Sequence, residues 1–139
     1  MRQAAKTLQI DTQGRGFYQV TAPVEAFARD QRMQTGLLTL FCRHTSASLL
    51  IQENADPSVM RDLEKFFSQL APENSALYSH NSEGPDDMPA HIRAALTQTH
   101  LSIPLVNGEL ALGVWQGVFL VEHRRRPHRR EIVLQLFGA

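Results

Sequence analysis

The chain has 139 residues, a formal net charge of zero and 42% hydrophobic residues. That composition excludes a disordered chain and gives no electrostatic case for nucleic acid binding. The single cysteine, Cys42, excludes an internal disulfide, and no apolar run approaches the roughly 20 residues that span a bilayer.

The length suits one domain, residues 1–139, with a core large enough to fold without staples. Residues 5–10, A-K-T-L-Q-I, alternate and predict a strand. D-T-Q-G-R-G follows as a turn, and residues 17–20, F-Y-Q-V, predict a second strand that closes a hairpin with the first. Thr21 is placed to cap a helix whose first turn holds Pro23 and whose buried face holds Val24, Phe27 and Ala28. L-L-T-L-F-C and L-L-I-Q are two further strands, separated by H-T-S-A-S. Cys42 ends the first of these runs and reads as a buried structural thiol.

Asp56-Pro57 starts a second helix, with Asp56 as cap and Pro57 in the first helical position. Val59, Met60, Leu63, Phe66, Phe67 and Leu70 form its apolar face, and Pro72 ends it. A third helix begins at Met88-Pro89, with Asp86 or Asp87 as cap. L-S-I-P-L-V is a strand, Asn107-Gly108 a hairpin turn, and residues 109–123 one long strand or two with a kink. Gly113 and Gly117 within it mark a bulge or a close backbone approach. E-I-V-L-Q-L-F closes the chain. The pattern predicts an α+β fold with a mainly antiparallel, sandwich-like sheet and about three helices. The first ten residues lack the apolar core of a signal peptide, so the expected location is the cytoplasm.

Chemistry concentrates in residues 78–93, Y-S-H-N-S-E-G-P-D-D-M-P-A-H-I-R. His80 and His91 have ten residues between them, across a Gly-Pro turn and a helix start. That spacing matches no standard zinc motif, and it fits a solvated loop histidine and a helix-surface histidine as well as a converging pair of ligands. His44, at a strand end, supplies a third imidazole, and three would make a zinc site with one open position. The hydroxyls after it, Thr45, Ser46 and Ser48, suit turn chemistry or an anion.

Asp86 and Asp87 suit helix capping or the orientation of a histidine. Glu122 ends an apolar strand on the face of Gln116 and needs a partner, which the following arginines provide either as an ion pair or as part of a site. Trp115 suits the core, and Gln116 among apolar neighbours needs a hydrogen bond. The run Arg124, Arg125, Arg126, Arg129 and Arg130 suits a solvated loop or a phosphate grip.

Three blocks carry a family resemblance: H-T-S-A-S-L-L-I-Q-E-N-A-D-P (44–57), G-P-D-D-M-P-A-H-I-R (84–93) and L-A-L-G-V-W-Q-G-V-F-L-V-E-H-R (110–124). In this order they resemble the signature of the YjbQ family, and the likeness extends over nearly the whole chain. The resemblance implies an α+β subunit that assembles as a homotrimer. It also implies a weak, secondary thiamine-phosphate synthase activity, which joins hydroxymethylpyrimidine diphosphate to thiazole phosphate and releases pyrophosphate. A divalent metal, zinc or magnesium, would sit at His44, His80 and His91. Glu53, Asp87 and Glu122 would be catalytic, and Trp115, Gln116 and Arg124 would bind a small phosphorylated substrate. No nucleic acid or membrane partner is implied. The alternative is a non-catalytic module that binds a phosphorylated metabolite. One departure from the family pattern lies before the I-P strand, where Gln98 and His100 replace glycine and serine.

Overall fold

The structure, a computed structural model, describes residues 1–139. Eight strands and three α-helices follow in the order β1 (Arg2–Asp11), β2 (Gly16–Gln19), α1 (Thr21–Asp30), β3 (Thr35–Cys42), β4 (Ala47–Glu53), α2 (Pro57–Leu70), α3 (Asp87–Leu96), β5 (His100–Val106), β6 (Glu109–Leu110), β7 (Gln116–Glu122) and β8 (Arg129–Gly138). A short 3-10 turn, Ser75–Leu77, lies between α2 and α3. The strands form two antiparallel sheets, ordered β1-β8-β3-β5-β6 and β2-β7-β4. The α+β class read from the pattern is therefore the class of the fold. No helix is long and apolar enough to cross a membrane.

Period-two alternation explains the large sheet. Leu38, Leu40 and Cys42 of β3 and Ile132, Leu134 and Leu136 of β8 point inward, while Leu37, Phe41 and Phe137 point out. Val118 and Leu120 of β7 close the core from the small sheet, and Val24, Phe27 and Ala28 of α1 seal one end. Strand β7 is buried at every residue except Gln116, because Phe119 and Val121 on its second face are also covered. It runs near-continuously apolar, as a strand covered on both faces must.

The predicted β1–β2 hairpin does not form. β1 pairs with β8 and β2 with β7, in different sheets. The chain changes sheet at Gly14, whose φ of +111° and close approach to the Arg125 carbonyl exclude a side chain. Residues 109–123 divide in the same way: β6 joins the large sheet and β7 the small one. Asn107 and Gly108, with φ of 52° and 81°, form the expected tight turn between β5 and β6. Gly117 marks a true close approach, since a Cβ there would lie 2.9 Å from Asn54 Cβ.

Asp56 caps α2 through the Ser58 N–H (2.9 Å). The predicted apolar face of α2 is only partly used, because Phe67 is its one buried residue while Phe66 and Leu70 are exposed. Thr21 is the first residue of α1 rather than its cap. Its hydroxyl instead accepts the Val118 N–H (2.8 Å) and ties the helix to β7.

Candidate metal centre

Asp87 and His91 are one helical turn apart on α3 and project from one face. His80 reaches them from the preceding loop, which turns back at Gly84 (φ +102°). His80 Nε2 lies 2.6 Å from Asp87 Oδ2, and His91 Nε2 lies 3.4 Å from the same oxygen. The two imidazoles meet edge to face with centroids 5.5 Å apart. One ligand atom from each of the three residues lies within 4.8 Å of the others.

The hydrogen bonds around the cluster orient it. His91 Nδ1 donates to the Thr45 carbonyl at 3.1 Å. In the neutral imidazole that proton leaves Nε2 with a lone pair, and this lone pair faces the Asp87 carboxylate. The same Asp87 oxygen accepts from His80 Nε2 at 2.6 Å, so a proton holds that pair, and a metal would have to displace it to take both imidazole nitrogens and the carboxylate oxygen together. The other Asp87 oxygen, Oδ1, accepts from Arg124 Nη1 at 2.7 Å. Arg124 also donates from Nε to Asp86 (3.0 Å) and from Nη2 to the Glu83 carbonyl (3.0 Å), so it clamps the 83–87 turn. Fixing one carboxylate oxygen while the other faces the two histidines is how outer groups commonly orient a metal ligand.

Asp87 is buried while His80 and His91 are partly exposed, so the cluster opens to solvent on the histidine side. Burial alone would raise the Asp87 pKa. The His80 hydrogen bond, with the neighbouring His91 and the Arg124 charge, outweighs it and holds the carboxyl below its ordinary range. Asp86 shows the same balance, with burial opposed by hydrogen bonds from the Arg125 backbone and the Arg124 side chain. Asp86 occupies the α3 cap position, but its side chain does not cap. The carboxylate turns to Arg124 and Arg125 instead.

The remaining site residues lie elsewhere. His44 is outside the cluster: its Nε2 accepts the Glu131 backbone N–H at 2.7 Å. That lone pair is taken by the backbone, and the structure does not bring His44 to the other two histidines. Glu122 is fully buried and bonded by Arg130 Nε (2.8 Å), Thr12 (2.7 Å) and the Arg124 N–H (3.1 Å). Glu53 pairs in register with Gln116 at the opposite end of β7 from Glu122. That end is about 20 Å away at the usual strand rise. There Glu53 accepts the Ala55 and Asp56 N–H groups, and Gln116 accepts the Gly113 N–H. Trp115 is 61% exposed rather than core. Arg124 is the one predicted substrate-binding residue beside the histidines.

The phosphate grip expected of the arginine run is largely taken up. Arg124, Arg125, Arg129 and Arg130 pair with Asp86 and Asp87, Glu73, Asp11 and Glu122 respectively. A buried polar group behind α3, made of Arg93, Ser48 and His123, went unrecognised in the sequence. Arg93 donates twice to Glu64, and Ser48 Oγ lies 2.8 Å from His123 Nε2. An arginine at an inward position of a short helix was the available signal.

Comparison with known proteins places the chain in a family. A family model described as UPF0047 protein YjbQ-like matches residues 6–139. The chain belongs to the YjbQ family. A UPF0047 protein of Synechocystis sp. is 55% identical to this YjbQ-family chain, over 99% of it and 93% of the relative. The UPF0047 protein YjbQ of Escherichia coli O157:H7 is 42% identical, over 96% of each. A conserved hypothetical protein from Thermus thermophilus shares the structure with a TM-score of 0.83 at 38% identity, over 95% of this chain and 99% of its own. A YbjQ-like protein of unknown function from Sulfolobus solfataricus shares the fold alone, with a TM-score of 0.87 at 20% identity over 99% and 100% of the two chains.

Proposed function

We propose that this YjbQ-family protein is a metal-dependent enzyme acting on a small phosphorylated substrate, with thiamine-phosphate synthase as a weak, secondary activity. The observation that carries the reading is the His80–Asp87–His91 cluster, where a carboxylate oxygen and an imidazole lone pair face each other. Two nitrogens and one oxygen suit zinc and its neighbours better than magnesium, which prefers oxygen ligands and keeps its waters. A metal bound there supplies positive charge to a diphosphate leaving group.

The chain's own part is positional. Thr45 fixes the His91 ring, Arg124 fixes Asp87, and the partly exposed side of the cluster faces incoming substrate. In the synthase reaction the thiazole nitrogen forms a bond to the pyrimidine methylene carbon as the carbon–oxygen bond to pyrophosphate breaks. The electron pair leaves with pyrophosphate, so this step needs orientation and charge stabilisation more than a general base.

Metal analysis tests the reading. Purified untagged protein is expected to carry close to one divalent ion per chain, and His80→Ala and His91→Ala are expected to lose both the ion and pyrophosphate release. Retention of both in the two variants would refute it.

The saturation of Glu122 by Arg130, Thr12 and Arg124, with Glu53 at the far end of β7, favours a second reading. Neither carboxylate acts at the histidines, so the chain keeps the binding groups of the cluster without the two further expected catalytic residues, as a module that binds a phosphorylated metabolite without turnover would. Tight metabolite binding by metal-loaded protein, with no product in a single-turnover assay, would select it.

The proposal includes a homotrimer in the cytoplasm. Leu37, Phe41, Val106 and Phe137 are exposed on the outer face of the large sheet, an apolar surface that assembly would cover. Light scattering is expected to return three times the 15.7 kDa chain mass. A monomer at micromolar concentration would remove that part of the proposal.

A further inference from the structure

The turn between β3 and β4 forms an open pocket of about 640 Å3, lined by Phe41, Arg43, His44, Thr45, Ser46 and Arg130 among others. No carboxylate lines it. Arg130 is pinned to Glu122 and to the Ser46 carbonyl and hydroxyl, so it fixes the turn rather than reaching into the pocket. Arg43 is exposed and makes no ion pair or side-chain hydrogen bond within the chain, unlike four of the five arginines of the C-terminal run.

His44 defines the chemistry. Because Nε2 accepts the Glu131 N–H, the ring proton of the neutral imidazole sits on Nδ1. Burial and then the Arg130 charge lower the His44 pKa, which supports that neutral form. Nδ1 has no partner in the chain and is not among its buried unpaired atoms. The imidazole therefore offers the pocket a donor, where a metal would need a lone pair. Thr45 and Ser46 add hydroxyls, and the Thr45 carbonyl is the group that holds His91 Nδ1.

We propose that the β3–β4 turn is an oxyanion subsite that binds a phosphoryl group of the substrate through Arg43 and His44 Nδ1–H, one residue from the His91 anchor. This rests on the phosphorylated-substrate reading above. Guanidinium forks and neutral N–H donors match phosphate oxygens, and no carboxylate lines the pocket to pair with Arg43, although the Glu131 and Glu122 charges reach His44.

Inorganic pyrophosphate is the probe. Titrated by calorimetry into chelator-treated protein, it is expected to bind, and Arg43→Ala is expected to weaken binding about tenfold or more through loss of a charge-assisted contact. Arg43 is exposed, so the variant is expected to keep the wild-type Tm and metal content. His80→Ala, by contrast, is expected to lose metal yet keep metal-free pyrophosphate binding within about twofold, because its side chain is outside the pocket. In nitrogen-15 histidine spectra of the metal-free protein, the His44 Nδ1–H signal is expected to move on adding pyrophosphate. Equal affinity of Arg43→Ala and wild type, a shift confined to His91, or no binding without metal would each overturn the subsite. Loss of the metal reading alone would show as wild-type protein that binds pyrophosphate but carries no ion.

Discussion

Glu122→Ala is expected to lower the unfolding free energy by about 3–5 kcal/mol, the cost of stranding a buried charge by deleting its partner. Glu122 is fully buried, and the Arg130 side chain that it pairs with is 6% exposed. Removing the carboxylate leaves that guanidinium with only Ser46 to bond, and also strips partners from Thr12 and the Arg124 N–H. These contacts join the end of β1, the end of β7 and the start of β8, so their loss loosens the junction of the two sheets. Urea unfolding measures the change. A shift below about 1 kcal/mol would mean that the pair is not coupled as its burial requires. The same group shapes acid stability. Burial opposes ionisation of Glu122, but the Arg130 and Thr12 hydrogen bonds outweigh it and the folded pKa lies below the unfolded one. Its stabilisation is therefore complete above the unfolded carboxylate pKa and disappears as pH falls through the folded one.

His123 sets a second, higher acid limit. It is 1% exposed, and burial, then the nearby Arg93 charge, lower its pKa to about 3. The unfolded chain takes up a proton near pH 6.5, while the folded chain refuses it until near pH 3. Stability should be level above pH 6.5 and fall below it by at most about 1.4 kcal/mol per pH unit, until the folded ring itself protonates. His44, held neutral by burial and Arg130, adds a smaller slope of the same sign. Between pH 6.5 and 4.5, the wild type is thus expected to lose on the order of 2–3 kcal/mol. His123→Gln, which keeps an amide within reach of Ser48, should lose most of that slope whatever its stability at neutral pH. Chemical unfolding at several pH values is the measurement. Identical slopes for the two proteins would show that His123 is protonated without penalty.

The chemistry of these predictions differs in how legible it was before folding. The stretch from Tyr78 to Arg93 singles out His80 and His91 as candidate ligands and offers Asp87 only as a cap, a histidine-orienting group or a catalytic residue, while the i,i+4 pairing of Asp87 with His91 on one helix face is a local fact. Arg124 sits 37 residues beyond Asp87, and nothing in the spacing says which carboxylate it holds. His44 illustrates the limit further. As an imidazole at a strand end it reads as a metal ligand, yet one hydrogen bond from the Glu131 backbone turns its free nitrogen into a donor. Glu122 and Gln116 do share a strand face by counting, but strand length separates them and only Glu122 reaches the arginines.

The local order of this protein is written in its residue pattern. Asp56-Pro57 starts α2, Asn107-Gly108 turns the chain between β5 and β6, and alternation marks β3 and β8. Each depends on interactions within about four residues or on a fixed period. Which sheet each strand joins is settled only when the chain folds, so that β1 and β2 part company despite lying next to each other along it. The partners of the buried charges are settled at the same stage, such as Thr12 with Glu122 across 110 residues. Those choices follow from closing one core between two sheets and satisfying each polar group trapped in it, a constraint that acts on the whole chain at once.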